Sequence, residues 1–166
     1  MVMRVLGIDP GMRITGYGCV IASPAAGEPK LAEAGVLRFK AGDTLERRLN
    51  EIYQAVRDLI EELKPDEAVV EKLYAHYRHP RTAILMGHAR GVILLACAGA
   101  DVPVTHLPST EVKKSITGNG HASKEQMQRA IQSQCALDTL PEPPDLADAI
   151  AIAITGARRL QVNALT

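Results

Sequence analysis

The sequence has few cysteines, and none of them is spaced to build a disulfide framework or a zinc site. Cys19, Cys97 and Cys135 are odd in number and far apart, whereas both kinds of site need cysteines in pairs at short, regular spacing. We therefore expect buried free thiols in the reducing environment of a cytosol.

Long hydrophobic runs are also lacking. Asp9 interrupts the apolar stretch near the amino terminus, so we expect no signal peptide. Residues 93–100 form an apolar run that is too short, and too interrupted by glycine, to span a membrane. The sequence thus predicts a cytoplasmic protein with no membrane partner.

Net charge is absent as well, because 19 basic side chains balance 19 acidic ones. A nucleic-acid partner can therefore be argued only from how the charge is distributed. Residues 72–100 and 112–124 contain no acid. Such basic stretches suit a surface that follows DNA phosphates, although a solvated basic loop is the alternative for either stretch alone. The candidate DNA-binding cations are Lys72, Arg78, Arg81, Lys113, Lys114 and Lys124.

Strand and helix patterns alternate along a chain of 166 residues, a length typical of one domain. Three strand-like segments precede a long amphipathic helix, and strands and helices then alternate, which predicts an α/β mixed sheet flanked by helices. Predicted helix starts are capping boxes at Asp43/Glu46 and Ser123/Gln126 and a cap at Ser109. The predicted strands are 2–9, 14–21, 34–39, 68–71 and 102–106, and the predicted helices are 45–63, 81–99, 109–117, 123–135 and 145–160.

Four carboxylates stand out from this framework. Asp9 and Glu71 each end a short apolar strand, and open sheets bind ligands at the carboxyl ends of their strands. Asp145 and Asp148 are three residues apart on a helix and share one face. Taken singly, Asp9 is explained by turn capping, Asp145 by a helix N-cap, and Asp148 by a buried ion pair.

The four acids taken together indicate a metal site. Clustered carboxylates repel one another, and a hard divalent cation relieves that repulsion. Because the ligands are all oxygen, Mg²⁺ or Mn²⁺ is the expected occupant. Two such ions about 3.5–4 Å apart would clamp the attacking and leaving oxygens of a phosphodiester displacement.

The sequence resembles the RuvC family of bacterial Holliday junction resolvases along nearly its whole length. The resemblance is carried by GIDPGMRITGYG (7–18), E-x-x-Y (71–74), MGHARG (86–91) and PPDLADAIAIAI (143–154). It implies a single RNase H-like nuclease domain over residues 1–166 that acts as a homodimer with divalent metal. It also implies symmetric cleavage of four-way DNA junctions in recombination and repair, with the branch-migration proteins RuvA and RuvB as partners.

The resemblance also implies roles for individual residues. Asp9, Glu71, Asp145 and Asp148 match the catalytic acids of the family, and Lys113 and Lys124 match lysines near the scissile phosphate and the DNA backbone. Tyr74 matches an aromatic residue that stacks at the junction. Three positions depart from the family pattern. Lys72 and His88 stand where glutamine is common, and Tyr74 stands where the family usually has phenylalanine.

Two other functions are compatible with parts of the sequence. The motif Gly-Ile-Asp-x-Gly also opens actin-like ATPases, which need a second domain and a second phosphate loop. A DNA-binding module without activity is the other alternative, but it would gain nothing from four acids that face phosphates. The sequence leaves open whether the small residues Ala83, Gly87 and Gly91 pack within the domain or across a dimer.

Overall fold

A mixed five-stranded sheet with helices on both faces forms the centre of the computed structural model, which describes residues 1–25, 27–73 and 78–166. The strand order is β3-β2-β1-β4-β5. Strands β1–β3 form an antiparallel meander, whereas β4 pairs in parallel with β1, and β5 pairs in parallel with β4. The predicted mixed sheet is confirmed. The strands are β1 (Met3–Asp9), β2 (Ile14–Ala22), β3 (Lys30–Arg38), β4 (Glu67–Glu71) and β5 (Val104–Leu107).

Within the described part of the chain, five helices cover the sheet in two layers. The helices α1 and α2 enclose one core with the side chains of Leu6 and Ile8, and the helices α3, α4 and α5 enclose a second core on the opposite face with Val5. This division follows from strand geometry, because successive side chains of β1 point to opposite faces. The helices are α1 (Leu45–Leu63), α2 (Pro80–Gly99), α3 (Ser109–Thr117), α4 (Lys124–Gln134) and α5 (Pro144–Asn163).

Glycines let α5 lie directly on the sheet. A Cβ atom on Gly7 would collide with backbone atoms of Ala149 and Ala153, and a Cβ atom on Gly16 would collide with the carbonyl oxygen of Asp145. The helix axis therefore approaches β1 and β2 more closely than any side chain would permit. This contact sets the position of the first turn of α5, which carries two of the predicted site residues.

Two of the three predicted helix caps are wrong. Thr44 is the N-cap of α1, so Glu46 occupies the second helical position and cannot complete a capping box with Asp43. The carboxylate of Asp43 instead accepts the N–H of Thr44 at 3.0 Å. Ser109 is the first residue of α3, after Pro108 at the N-cap, so its hydroxyl lies one position too late to cap.

The third cap is confirmed. Ser123 Oγ accepts the backbone N–H of Gln126 at 3.1 Å, and the side chain of Gln126 accepts the N–H of Ser123 at 2.8 Å. Strand β5 ends the sheet, which suits the proline in the predicted strand 102–106, because a proline cannot donate to a neighbouring strand. Strand β3 begins at Lys30, earlier than predicted, since it pairs with β2 beyond a bulge at Cys19/Val20.

Helix α2 is apolar on both its inner and outer sides. By length and composition alone, this helix is long and apolar enough to cross a membrane. Core helices of soluble proteins meet the same test, and Ala89, Ile93 and Cys97 are buried in the core shared with α1. On the outer side Ile84 and Leu95 are exposed, so the described residues leave part of the apolar surface of α2 uncovered.

Candidate active site

Asp9 and Glu71 emerge side by side from the sheet. Strands β1 and β4 are parallel neighbours, and Ile8 pairs with Val70. The next residue of each strand is the acid. Both carboxylates therefore reach the carboxyl edge of the sheet, where ligands bind in folds of this architecture.

Asp145 is brought to the same place through Gly16. In the antiparallel ladder of β1 and β2, Asp9 pairs with Gly16, and Gly16 touches the backbone of Asp145. Asp148 follows one turn later on α5, which begins at Pro144. The four predicted acids, distant in sequence, thus meet where β1, β4 and α5 converge.

The ionisation of these acids is coupled. Burial raises the pKa of Asp9 well above its ordinary value, and the charges of Glu71, Asp148 and Asp145 raise it further. Burial, with the charge of Asp148, raises the pKa of Glu71 to about 7. Burial, with the charge of Asp145, raises the pKa of Asp148 to about 6. Without a cation between them, these carboxylates resist being ionised together.

Turn capping, helix capping and a buried ion pair were the alternative explanations for Asp9, Asp145 and Asp148, and the described residues support none of them. Pro143 occupies the N-cap of α5, so Asp145 is not the cap. None of the ion pairs found there within 4.0 Å includes Asp148. The turn after Asp9 is closed by Thr15, whose hydroxyl donates to the carbonyl oxygen of Gly11 at 3.0 Å and accepts its N–H at 3.2 Å.

Two lysines lie on one side of the acids. A cavity of about 430 Å³ is lined by Glu71 and Asp148 together with Lys113 of α3 and Lys124 of α4. The charges of both lysines lower the pKa of Asp148 and oppose the effect of burial. Lys124 is the first residue of α4, directly after the Ser123 capping box, so a well-defined helix start positions this cation. We call this cavity the lysine cavity.

The donor set fits a hard divalent cation, because it consists of carboxylate oxygens and each of the three shifted acids is disfavoured in its charged form. Among the described residues, no three or more His, Cys, Asp or Glu side chains lie close enough together to coordinate one metal ion as they stand.

The remaining predicted DNA-binding residues have different surroundings. Lys72 follows β4 and lines a cavity of about 720 Å³ with Arg90, His106 and Arg159. Lys114 is exposed on α3 and is not among the residues that line the lysine cavity. Arg78 is exposed before α2, and Tyr74 lies outside the described residues.

Several basic residues near the acids were not predicted from the sequence. Arg13, Arg48 and the predicted Arg81 line a cavity of about 610 Å³ that Asp145 also borders. Arg90 donates from Nε to the carbonyl oxygen of Glu71 at 2.9 Å. The sequence offered little indication that Arg13 and Arg48 belong to the site. Arg13 lies inside the first family motif, and Arg48 comes just before an apolar position of α1.

The family model "Crossover junction endodeoxyribonuclease RuvC" matches residues 5–156 of the chain. The chain belongs to the RuvC family. RuvC of Rhodopirellula baltica is 49% identical over 152 residues, which cover 92% of this chain and 84% of that protein. RuvC of Moorella thermoacetica is 44% identical over 155 residues, covering 93% and 91% respectively. Membership confirms the predicted enzyme class, an endodeoxyribonuclease, and implies a divalent metal cofactor.

Solved structures agree with this assignment. The chain is similar to Thermus thermophilus RuvC in complex with a Holliday junction substrate, with a TM-score of 0.87, 32% identity, and 97% and 96% of the two chains covered. The yeast mitochondrial Holliday junction resolvase Ydc2 matches with a TM-score of 0.73 at 15% identity, over 98% of this chain and 81% of that one. The predicted RNase H-like fold is confirmed, and the family is one of nucleases, so the ATPase alternative is wrong.

Proposed function

We propose that this RuvC-family protein resolves Holliday junctions in recombination and repair by symmetric, metal-dependent hydrolysis of phosphodiester bonds. The observation that carries the proposal is the convergence of Asp9, Glu71, Asp145 and Asp148 beside two lysines. The complex of the T. thermophilus relative with a Holliday junction supports four-way junction DNA as the substrate.

The four carboxylates are the residues that would hold Mg²⁺ or Mn²⁺, with two ions in each active site. When bound, such ions activate water and stabilise the negative charge that develops on the phosphate. Lys113 and Lys124 contribute positive charge at the same site. We assign Lys124 a catalytic role because it lines one cavity with Glu71 and Asp148 and its charge acts on both Asp9 and Asp148. A preorganised cation next to the scissile phosphate stabilises charge in the transition state.

The DNA would extend beyond the acids over a basic surface. Lys72, Arg78, Arg81 and Lys114 supply charges there, in addition to Lys113 and Lys124, and Tyr74 supplies an aromatic ring for stacking on an unpaired base. Contacts of this kind to phosphates make binding strongly salt-dependent.

We propose that the protein acts as a homodimer, paired through the outer face of α2. Ile84 and Leu95 are 61% and 60% exposed. Gly91 lies between them, and among the described residues outside its own helix turns no atom lies within 4 Å of the Cβ that another residue would place there. With His88 and Ala98 they recur every three or four residues, which forms one continuous stripe on a helix. A second copy of α2 could approach closely at Gly91. A two-fold dimer also suits a junction with two strands to cut.

The proposed function also concerns the domain organisation, the cellular location and the partner proteins. We propose that residues 1–166 form one nuclease domain that acts in the cytoplasm, without a membrane partner. RuvA and RuvB are the proposed partners in branch migration.

Cleavage of a synthetic four-way junction, compared with linear duplex of the same sequence, tests the proposed activity. Each substrate is incubated with EDTA, Mg²⁺ or Mn²⁺. We expect paired symmetric nicks on the junction alone, and only with metal. Equal cutting of the linear duplex would contradict junction selectivity, and binding without cutting under every condition would contradict the nuclease function.

Sedimentation of two charge-inserting variants tests the dimer. Leu95→Glu places a carboxylate in the α2 stripe and should give a monomer. Val162→Glu is the matched control, because Val162 is 61% exposed on α5, and it should remain a dimer. Dimers of unchanged stability in Leu95→Glu would show that the copies associate through another surface.

A further inference from the structure

Another basic cavity borders the acid cluster at Asp145, on the other side from the lysine cavity. It has a volume of about 610 Å³, and its charged lining residues are Arg13, Arg48, Arg81 and Asp145. We call it the arginine cavity. Arg13 comes from the turn after β1, Arg48 from α1 and Arg81 from the first turn of α2. Three separate elements therefore place guanidinium groups around one opening.

These three arginines have no carboxylate partner among the described residues. None of the ion pairs found there within 4.0 Å includes them, and Asp145 is the one acid among the residues that line the cavity. A cavity that gathers three positive charges around a single carboxylate is unfavourable when empty and favourable when it holds an anion. The charge therefore indicates an anionic ligand.

Arg48 also retains unused hydrogen-bonding capacity. Its Nη2 donates to the carbonyl oxygen of Met12 at 3.0 Å, whereas its Nε is buried and has no hydrogen-bond partner among the described residues. Buried donors are normally paired. Because Nε has essentially no exposed surface, an oxyanion in the cavity would meet the Nη groups of Arg48, whose adjacent N–H donors suit phosphate oxygens.

The floor of the arginine cavity is held rigidly. The turn from Gly11 to Thr15 is closed by the two hydrogen bonds between these residues. The carbonyl oxygen of Arg13 accepts the N–H of Phe39 at 2.9 Å, and Arg48 holds Met12. Because the turn directly follows Asp9, the cavity is fixed relative to the catalytic acids, as a subsite that positions a substrate must be.

The two cavities share the acid cluster as their boundary. Glu71 and Asp148 line the lysine cavity, whereas Asp145 lines the arginine cavity. A DNA strand whose scissile phosphate lies at the acids, with a neighbouring phosphate toward Lys113 and Lys124, would continue on the opposite side over Arg13 and Arg81.

We propose that the arginine cavity binds a phosphodiester group of the cleaved DNA strand, next to the scissile phosphate and on the side away from Lys113 and Lys124. This inference rests on the proposed function and deepens it. The phosphate would pair with Arg13, Arg48 and Arg81 and would fix the position of the strand along the active site.

Binding to a four-way junction is compared for Arg13→Gln/Arg81→Gln and a charge-matched control, Arg47→Gln/Arg57→Gln. Arg13 and Arg81 are exposed, so their replacement should leave folding intact, and Arg48 is kept because it holds the turn. The control arginines are exposed on α1, outside the arginine cavity. In EDTA, the slope of log Kd against the logarithm of the salt concentration should decrease by about one to two in the test variant. The slope should change little in the control.

A scan with single methylphosphonate linkages then locates the phosphate. Each junction carries one neutral linkage at a different position near the cleavage site. At one position, or two adjacent ones, the neutral linkage should weaken binding of the unmodified protein about 10-fold and leave binding of Arg13→Gln/Arg81→Gln nearly unchanged. The two losses would then be non-additive, as expected for groups in contact.

Two results would overturn the inference. The first is equal loss of binding in the test variant and the charge-matched control. The second is additive losses at every methylphosphonate position. Failure of the proposed function is read separately, from whether the unmodified protein cuts the unmodified junction in Mg²⁺. If the arginine variant and a methylphosphonate linkage have non-additive effects but the junction is not cut, the phosphate site is retained and the resolvase function is rejected. If the junction is cut but the two effects are additive at every position, the resolvase function is retained and the phosphate site is rejected.

Discussion

Arg90 and Glu71 are joined by a hydrogen bond of 2.9 Å from the Nε of the arginine to the main-chain carbonyl oxygen of the acid. The Nη2 of Arg90 also contacts Nδ1 of His106 on β5. One guanidinium of α2 therefore holds the ends of two parallel strands at the edge of the sheet that carries the acids. Because α2 also bears the proposed dimer stripe, Arg90 connects that stripe to the active site.

Replacing Arg90 should impair cleavage more than binding. We expect Arg90→Met to lower the single-turnover cleavage rate about 10-fold or more, because small displacements of a catalytic group are costly. Junction affinity should change little, and Arg90→Lys should recover part of the rate. Arg57→Met, at an exposed arginine over the Tyr53 ring, is the control. Equal losses of affinity and rate would identify Arg90 as a DNA contact instead.

Asp148→Asn should abolish cleavage and stabilise the metal-free protein near pH 8. The folded-state pKa of Asp148 is about 6, above its ordinary value of 3.8. The unfolded state therefore loses its proton first as pH rises, so this group destabilises the fold progressively from about pH 4 to pH 7. The shift corresponds to a gain on the order of 1–3 kcal/mol when the charge is removed.

Thermal unfolding in EDTA from pH 4 to pH 8 measures this difference. The gap between Asp148→Asn and the unmodified protein should become small near pH 4, where the carboxyl is protonated in the folded state and only about half ionised in the unfolded state. Saturating Mg²⁺ should reverse the order at pH 8, since only the unmodified site has all four carboxylates. A gap independent of pH would show that repulsion among the acids is not its cause.

Gly7→Ala should destabilise the fold and disturb the active site together. The added methyl group would meet the backbone of α5 at Ala149 and Ala153, and backbone atoms cannot move aside without shifting the helix. We expect a loss of about 1–3 kcal/mol in urea unfolding, with slower cleavage because Asp145 and Asp148 move with α5. Gly99→Ala, where nothing lies within 4 Å, should be close to neutral.

Ser123→Ala tests whether the helix cap positions Lys124. Loss of the hydrogen bond from the backbone N–H of Gln126 to the Ser123 hydroxyl should lower the free energy of unfolding by about 1 kcal/mol. Cleavage should slow as well, because fraying at the start of α4 displaces Lys124. Ser133→Ala, at an exposed position of the same helix, should affect neither quantity. Normal cleavage in Ser123→Ala would separate the cap from the active site.

Local patterns were sufficient to predict most elements of the fold. The apolar run before Asp9 and the helical spacing from Leu45 to Leu63 depend on neighbouring residues, and the structure confirms both. Capping was less predictable. Whether a polar residue caps a helix depends on where the first turn begins, and that start differed by one residue at Thr44 and at Pro108.

The sequence by itself determined which carboxylates end strands and which share a helix face, because strand period and helix period are local properties. Only the tertiary structure decided that they meet. The parallel register of β1 and β4 aligns Asp9 with Glu71, and the close contact at Gly16 brings in Asp145. The arginine cavity and the hydrogen bond from Arg90 to Glu71 likewise join distant segments, whose proximity depends on packing and which no local pattern encodes.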